Sequence, residues 1–172
     1  MQKIYPLVIE RLCEAKFYII GDKAPPEIVA LATDKVVVAG LQTDVRPFFD
    51  SIRLSVAPLR FGAGVKGKIN QSMAFGVPVV ATSLAVEGMG LTDREDVLVA
   101  DEPKEFGRAL IELYESEELW TRLSENGIRK TRALYSPDAA RKKIEFLFGD
   151  HFWRSKQLAT AEQSDIATAA RS

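Results

Sequence analysis

At 172 residues the chain is long enough for one domain with a substantial hydrophobic core, and short for two. Apolar residues make up 47% and charged residues 27%, ordinary for a globular protein, and 23 basic against 24 acidic residues leave a net charge of -1. That balance excludes a long-range pull toward nucleic acid or anionic lipid, so any bound anion must be held locally, by a loop or a helix end.

A single cysteine, Cys13, excludes an internal disulfide framework and fits a reducing compartment. Its amphipathic surroundings predict a small buried hydrophobe rather than a reactive thiol. No apolar run approaches the ~20 residues needed to span a bilayer. The opening MQKIYPLVIERL carries Glu10 and Arg11 and has no small-residue cleavage site, unlike a signal peptide. A soluble, cytoplasmic protein is the expectation.

Ile4, Leu7, Val8 and Leu12 recur at helical spacing and predict a helix over residues 3–14. KFYIIGD follows as a strand stopped by Gly21. PPEIVALAT has prolines suited to open a helix, with Ile28, Leu31 and Ala32 on one face. KVVVAG is the second strand. Asp44 is placed to N-cap a short helix in VRPFFDS. RLSVAP is the third strand, ended by Pro58, and a glycine-rich turn, FGAGVKG, leads into a helix, KINQSMAFG, beginning near Val65. VPVVATS and DVLVAD complete five strands.

Four of the five are nearly continuous Val, Ile, Leu, Ala and Tyr runs, as expected when helices cover both sheet faces. The alternation predicts βαβ units in an α/β fold, a Rossmann-like parallel sheet with helices on both faces. After residue 102 the pattern becomes helical. Pro103 opens a helix with Phe106, Ala109, Leu110 and Leu113 on one face, and Ser116 caps another running to about Leu134. Ser136 and Pro137 open a third, holding Ala140, Ile144, Leu147 and Phe148. Residues 151–172 lose bulky apolar side chains and read as a mobile tail beyond a domain at 1–150. His151, at that border, reads as an exposed bystander, which leaves no histidine-based catalysis to consider.

In an open parallel sheet, ligands bind beyond the carboxyl ends of the strands. After the third strand, Gly62 and Gly64 would let the backbone approach an anion, and the following helix would aim free N–H groups at it. Lys66 and Lys68 could add charge. Chemically this is a diphosphate cradle; the competing reading is a glycine turn with two solvated lysines. The segment lacks the G-x-x-x-x-G-K-[ST] phosphate-loop pattern, and no G-x-G-x-x-G follows the first strand. No His/Cys cluster or carboxylate spacing suggests a metal, and no organic cofactor is implied.

The stretch VVVAGLQTDVRPFFDSIRLSVAPLRFGAGVKGKINQSMAFGVPVVATSLAVEGM resembles the C-terminal domain of the group 1, family 4 retaining glycosyltransferases of the GT-B fold. The resemblance runs from about residue 3 to residue 148; its most specific parts are SVAPLRFGAGVKGK and MAFGVPVVAT. It implies a nucleoside-diphosphate-sugar donor, with the backbone of Gly40 and Leu41 at the base. Gly62, Ala63, Gly64 and Val65, with the helix start after them, would lie against the diphosphate and sugar, with Lys66 and Lys68 as the cations. Lys68 matches the family pattern more closely than Lys66.

Many members of that family carry a glutamate pair separated by seven residues, the second hydrogen-bonding the ribose; those places here hold Ala63 and Gln71. An amide can still bond a ribose hydroxyl, but without charge. Glu87, in the VEGM turn after the fourth strand, is the nearest remaining acidic candidate; its other reading is an exposed turn residue. The family's domain begins with a strand and a glycine-containing loop that have no counterpart here. Its strand order places that strand between 17–20 and 53–57, so two inner strands would lack a neighbour. The family's N-terminal acceptor domain also has no counterpart, and GT-B transfer takes place between the two domains.

The implied function is therefore the donor-binding part of a glycosyltransferase, inactive without that N-terminal partner. Bacterial polysaccharide biosynthesis is the setting the resemblance implies, and peripheral membrane association is compatible with it. Two alternatives stand beside this reading: a degenerate, non-enzymatic remnant or interaction module of the same fold, and a different GT-B activity such as an epimerase or a phosphorylase. The residues show no lysine context for the pyridoxal phosphate a phosphorylase needs.

Overall fold

The computed structural model describes residues 3–62, 64 and 66–149. The chain divides into two compact units, residues 1–130 and 131–172. The first holds five parallel strands: β1 (Phe17–Ile20), β2 (Val36–Gly40), β3 (Ser55–Ala57), β4 (Val79–Ala81) and β5 (Leu98–Val99). All five predicted strands are present, and every pairing among them is parallel. They do not form one sheet. β1 pairs with β2, with Phe17 opposite Val36, and β3, β4 and β5 form a second sheet in that order.

Both faces of the larger sheet are covered, which is why β4 reads as an unbroken apolar run. On one face Val80 and Leu98 pack with Phe106, Leu110 and Leu113 of α6 (Pro103–Glu115) and with Leu119 and Leu123 of α7 (Glu117–Tyr135). Ile4 and Val8, at the start of α1 (Tyr5–Arg11), pack against the same cluster. On the other face Val79, Ala81 and Val97 meet Ile69 and Met73 of α4 (Gly67–Ala74), Ala85 of α5 (Ser83–Val86), and Met89. Strand alternation sends neighbouring β4 side chains to opposite layers, so both helix layers bear on the same three residues. The remaining helices, α2 (Pro26–Val29) and α3 (Arg46–Phe49), are single turns.

Several local expectations need correction. The first helix ends at Arg11 rather than residue 14, because Leu12 leaves helical geometry (φ -110, ψ 65) and a turn follows. Cys13 lies in that turn and is exposed, not buried; its carbonyl accepts from the Lys35 ammonium, which ties the turn to the head of β2. Past Val29 the PPEIVALAT helix tightens into turns in which Leu31 donates to Ile28 and Ala32 to Val29. Asp44 stands one residue before the N-cap, which is Val45. Its carboxylate still accepts from the Arg46 amide at 3.0 Å. Ser116 behaves as expected, accepting from the Leu119 amide at 3.2 Å.

The second unit holds the end of α7 and then α8 (Pro137–Phe148), N-capped by Ser136, whose hydroxyl accepts from the Ala139 amide at 3.1 Å. No α8 residue is buried, and Leu147 is exposed. His151 and the predicted tail lie outside the described residues.

Candidate functional site

The carboxyl ends of β2 and β3 carry the residues singled out for donor binding, except Glu87, which follows β4. Gly40 closes β2 with φ +67, a conformation that favours glycine, and its carbonyl accepts from the Gly21 amide at 3.0 Å. The next residue, Leu41, is 68% exposed, a large apolar side chain left in water at a strand end. The Gln42 amide folds back onto the Ala39 carbonyl at 2.7 Å and fixes the turn.

The glycine loop leaves β3 through Leu59, which anchors it. Leu59 packs against the cluster under α4, and its carbonyl accepts from the Thr82 hydroxyl at 2.8 Å. Past that anchor the chain is exposed, and Phe61 is 87% accessible. Gly62 (φ +130) and Gly64 (φ +77) adopt backbone geometry that side chains oppose, and nothing lies within 4 Å of a Cβ built on Gly64. Ala63 and Val65 lie outside the described residues.

The helix that follows, α4, begins at Gly67 rather than near Val65, with Lys66 as an N-cap of extended backbone and no side-chain cap. An uncapped first turn leaves its leading N–H groups without intrahelical partners at the positive end of the helix dipole. Lys66 is half-buried, and its ammonium bonds the Gly64 carbonyl at 2.6 Å. Lys68 and Gln71 are exposed on the first two turns of α4. Local charge favours an anion: between Asp50 and Glu87 there is no acidic residue, while Arg53, Arg60, Lys66 and Lys68 fall in that span.

The loop thus gathers Gly62, Gly64 and Lys66 at one helix end, with Lys68 in the first turn of α4. Glu87 ends α5 in an exposed position. Among the described residues no hydrogen bond or ion pair joins Glu87, Gly40 or Leu41 to the glycine loop. The polar groups that hold this region were not singled out by the sequence. Ser72, 1% exposed, donates to the Val77 carbonyl at 2.9 Å and lies 2.8 Å from the Ser55 hydroxyl, locking α4 to β3 and to the turn before β4. Asp101 accepts from the Ser83 amide and hydroxyl, both at 2.9 Å, and caps α5 from the end of β5. A lone serine or aspartate between apolar runs carries no mark of its distant partner, so only the fold exposes these roles.

Solved structures share this architecture. A mutant TarM from S. aureus, in complex with Fondaparinux, alpha-GlcNAc-glycerol and UDP, superposes with a TM-score of 0.70 at 17% identity, covering 84% of this chain and 31% of its own. The C-terminal domain of LpcC, a glycosyl transferase group 1 family protein from Francisella tularensis, gives 0.66 at 14% identity, covering 78% and 77%. WaaG, a glycosyltransferase involved in lipopolysaccharide biosynthesis, gives 0.65 at 16% identity, covering 86% and 44%. At these identities the likeness establishes the fold, a GT-B domain. This chain spans less than half the length of TarM and of WaaG. No curated protein matches it closely in sequence. Among the described residues no helix is long and apolar enough to cross a membrane. The family model of the glycosyl transferases group 1 matches residues 1–116, two thirds of the sequence, and the chain belongs to that family.

Proposed function

We propose that residues 1–150 bind a nucleoside-diphosphate-sugar at the carboxyl ends of β2 and β3, for sugar transfer with retained anomeric configuration. The observation that carries this reading is the pair of left-handed glycines, Gly62 and Gly64, leading into the uncapped start of α4 in a stretch free of carboxylates. A diphosphate is the anion such a cradle suits: it presents oxygens to backbone N–H groups and tolerates lysines at its edges. The TarM structure of the same fold carries UDP, which supports a uridine or related nucleotide here.

In the mechanism, bond cleavage leaves negative charge on the diphosphate. The first N–H groups of α4 and the Lys68 ammonium stabilise that charge without a metal. Lys66 joins them by turning from the Gly64 carbonyl to a phosphate oxygen. Gln71, one turn on, hydrogen-bonds a ribose hydroxyl through its amide, and Leu41 covers one side of the base. The acceptor side of the cleft comes from a separate N-terminal domain, so the 172 residues bind donor but do not transfer sugar alone.

Thermal unfolding of the chain with millimolar UDP, GDP and their sugar conjugates tests this. A ligand that binds only the native state at about 100-fold above its Kd adds about 2.7 kcal/mol, so one nucleotide should raise the midpoint. A cooperative transition indifferent to every nucleotide overturns the donor-site reading and favours the remnant.

A further inference from the structure

At the amino end of β3 the first unit carries an open cleft of about 460 Å³. It is lined by Ser51, Ile52 and Arg53, from the turn between α3 and β3, and by Glu117, Trp120 and Thr121 of α7. The glycine loop leaves the other end of the same three-residue strand, so roughly 10 Å of extended chain separates the two. The cleft is a second concave feature, and nothing proposed for the glycine loop uses its residues.

Two of its walls are fixed by contacts made within the chain. The Trp120 indole N–H donates to the Arg53 carbonyl at 2.6 Å, and Trp120 packs against the core cluster that holds Leu119 and Leu123. The Arg53 Nε donates to the Tyr114 carbonyl at 2.6 Å, and its guanidinium carbon lies 5.4 Å from the centre of the Tyr114 ring. Both large side chains are therefore held in place, which lowers the ordering cost of binding anything between them. The remaining polar groups are unused. Among the described residues the terminal amino groups of Arg53, the Glu117 carboxylate and the Thr121 hydroxyl make no hydrogen bond or ion pair. An arginine and a glutamate that line one cleft without pairing leave a place for a group that accepts from the first and donates to the second.

We propose that this cleft binds a neutral saccharide, one or two pyranose units, at a site separate from the glycine loop. A pyranose has an apolar C–H face and a rim of hydroxyls that both donate and accept. Trp120 and Ile52 receive the face. Arg53 donates to hydroxyl oxygens, while Glu117 and Thr121 accept from hydroxyl protons. Charge argues against an anion: Glu117 offsets Arg53, and Glu118 adds a second carboxylate in the first turn of α7, so a phosphate gains no net attraction. The volume falls within the range of about 300–1,000 Å³ typical of small-molecule sites. Such a site anchors a carbohydrate to the domain without taking part in transfer, and it does not depend on nucleotide binding at the glycine loop.

Proton–nitrogen NMR correlation spectra of the full chain test this, with maltose, cellobiose and diacetylchitobiose as probes. At least one of these disaccharides should shift the Trp120 indole signal and the Arg53, Glu117 and Thr121 amides together and saturably, with a Kd on the order of 1 mM or tighter. The same shifts should appear with UDP present. Glu117→Ala, at an exposed position, should weaken binding about tenfold, and Trp120→Ala should abolish it; if Trp120→Ala does not fold, Glu117→Ala decides. The proposal is overturned by the absence of saturable shifts at these residues with all the sugars, or by unchanged affinity in Glu117→Ala. Shifts given there by inorganic phosphate but by no sugar would make the cleft an anion site, and sugar-induced shifts that UDP removes would place the sugar at the glycine loop; either result also overturns it.

Discussion

Replacing Gly76 by alanine tests how tightly α4, and with it the glycine loop, is set against α7. Gly76 lies in the turn between α4 and β4 with φ +72. A Cβ there would stand 3.2 Å from both Ile128 Cδ1 and Ser124 Oγ, closer than side chains ordinarily approach. The left-handed backbone costs an alanine about 1–2 kcal/mol, and overpacking a filled site costs about 1–3 kcal/mol more. Yielding would also strain the 2.7 Å bond from the Ser124 hydroxyl to the Gly76 carbonyl. A loss of about 2–5 kcal/mol lowers the midpoint of a chain this size by roughly 6–15 °C. Gly127 provides the contrast. It lies inside α7, and its added Cβ would meet only the Met73 side chain at 3.4 Å, which a flexible thioether can accommodate. Alanine gains about 1 kcal/mol over glycine in a helix interior, so Gly127→Ala should leave the midpoint level or raise it by a few degrees. Circular dichroism melts of both variants check the pair. Equal losses, or an unaffected Gly76→Ala, would refute the reasoning.

Gly64→Ala has open space around its new methyl, so it should lower the midpoint by only the cost of left-handed backbone, about 1–2 kcal/mol, while abolishing the nucleotide-induced rise; calorimetric melts with and without UDP separate the two effects. Ser72→Ala should cost about 1–3 kcal/mol, measured by urea unfolding, because it strips the buried Val77 carbonyl of its hydroxyl donor. The Arg46 side chain, through its hydrogen bond to Asp44, holds the Asp44 carboxyl below the usual aspartate range. A depressed carboxylate adds stability that is complete above its unfolded pKa and is lost as pH falls through the folded value. NMR titration of the Asp44 carboxyl should therefore give a midpoint below the ordinary aspartate range, raised toward it by Arg46→Ala, which removes the side-chain bond but keeps the amide of residue 46; an unchanged midpoint in the variant would show that the pairing is absent in solution.

How much of this protein is legible in one dimension depends on how local the cause is. The five strands could be read because continuous apolar runs such as VPVVATS need two covering layers and therefore mark a parallel sheet. Helix starts with a serine and a near hydrogen-bond partner, Ser116 and Ser136, were equally local. The glycine loop was legible as a candidate anion site because positive φ and a following helix leave a mark in residue type. Helix ends were not: α1 stops at Arg11 where the Lys35 ammonium, more than twenty residues away, holds the Cys13 carbonyl. Cys13 is exposed in that turn, against its amphipathic setting. The clasp of Ser72, Ser55 and Val77 joins three segments, and nothing in any one of them announces the other two.

By itself, then, the sequence determined the α/β class, the strand positions and the glycine loop, since periodicity and glycine placement depend on neighbours along the chain. Only the tertiary structure decided which edges are paired, where α4 begins relative to that loop, and that β1–β2 and β3–β4–β5 form separate sheets. Strand pairing is a contact between distant segments, and its energy depends on who stands alongside, not on what the strand contains.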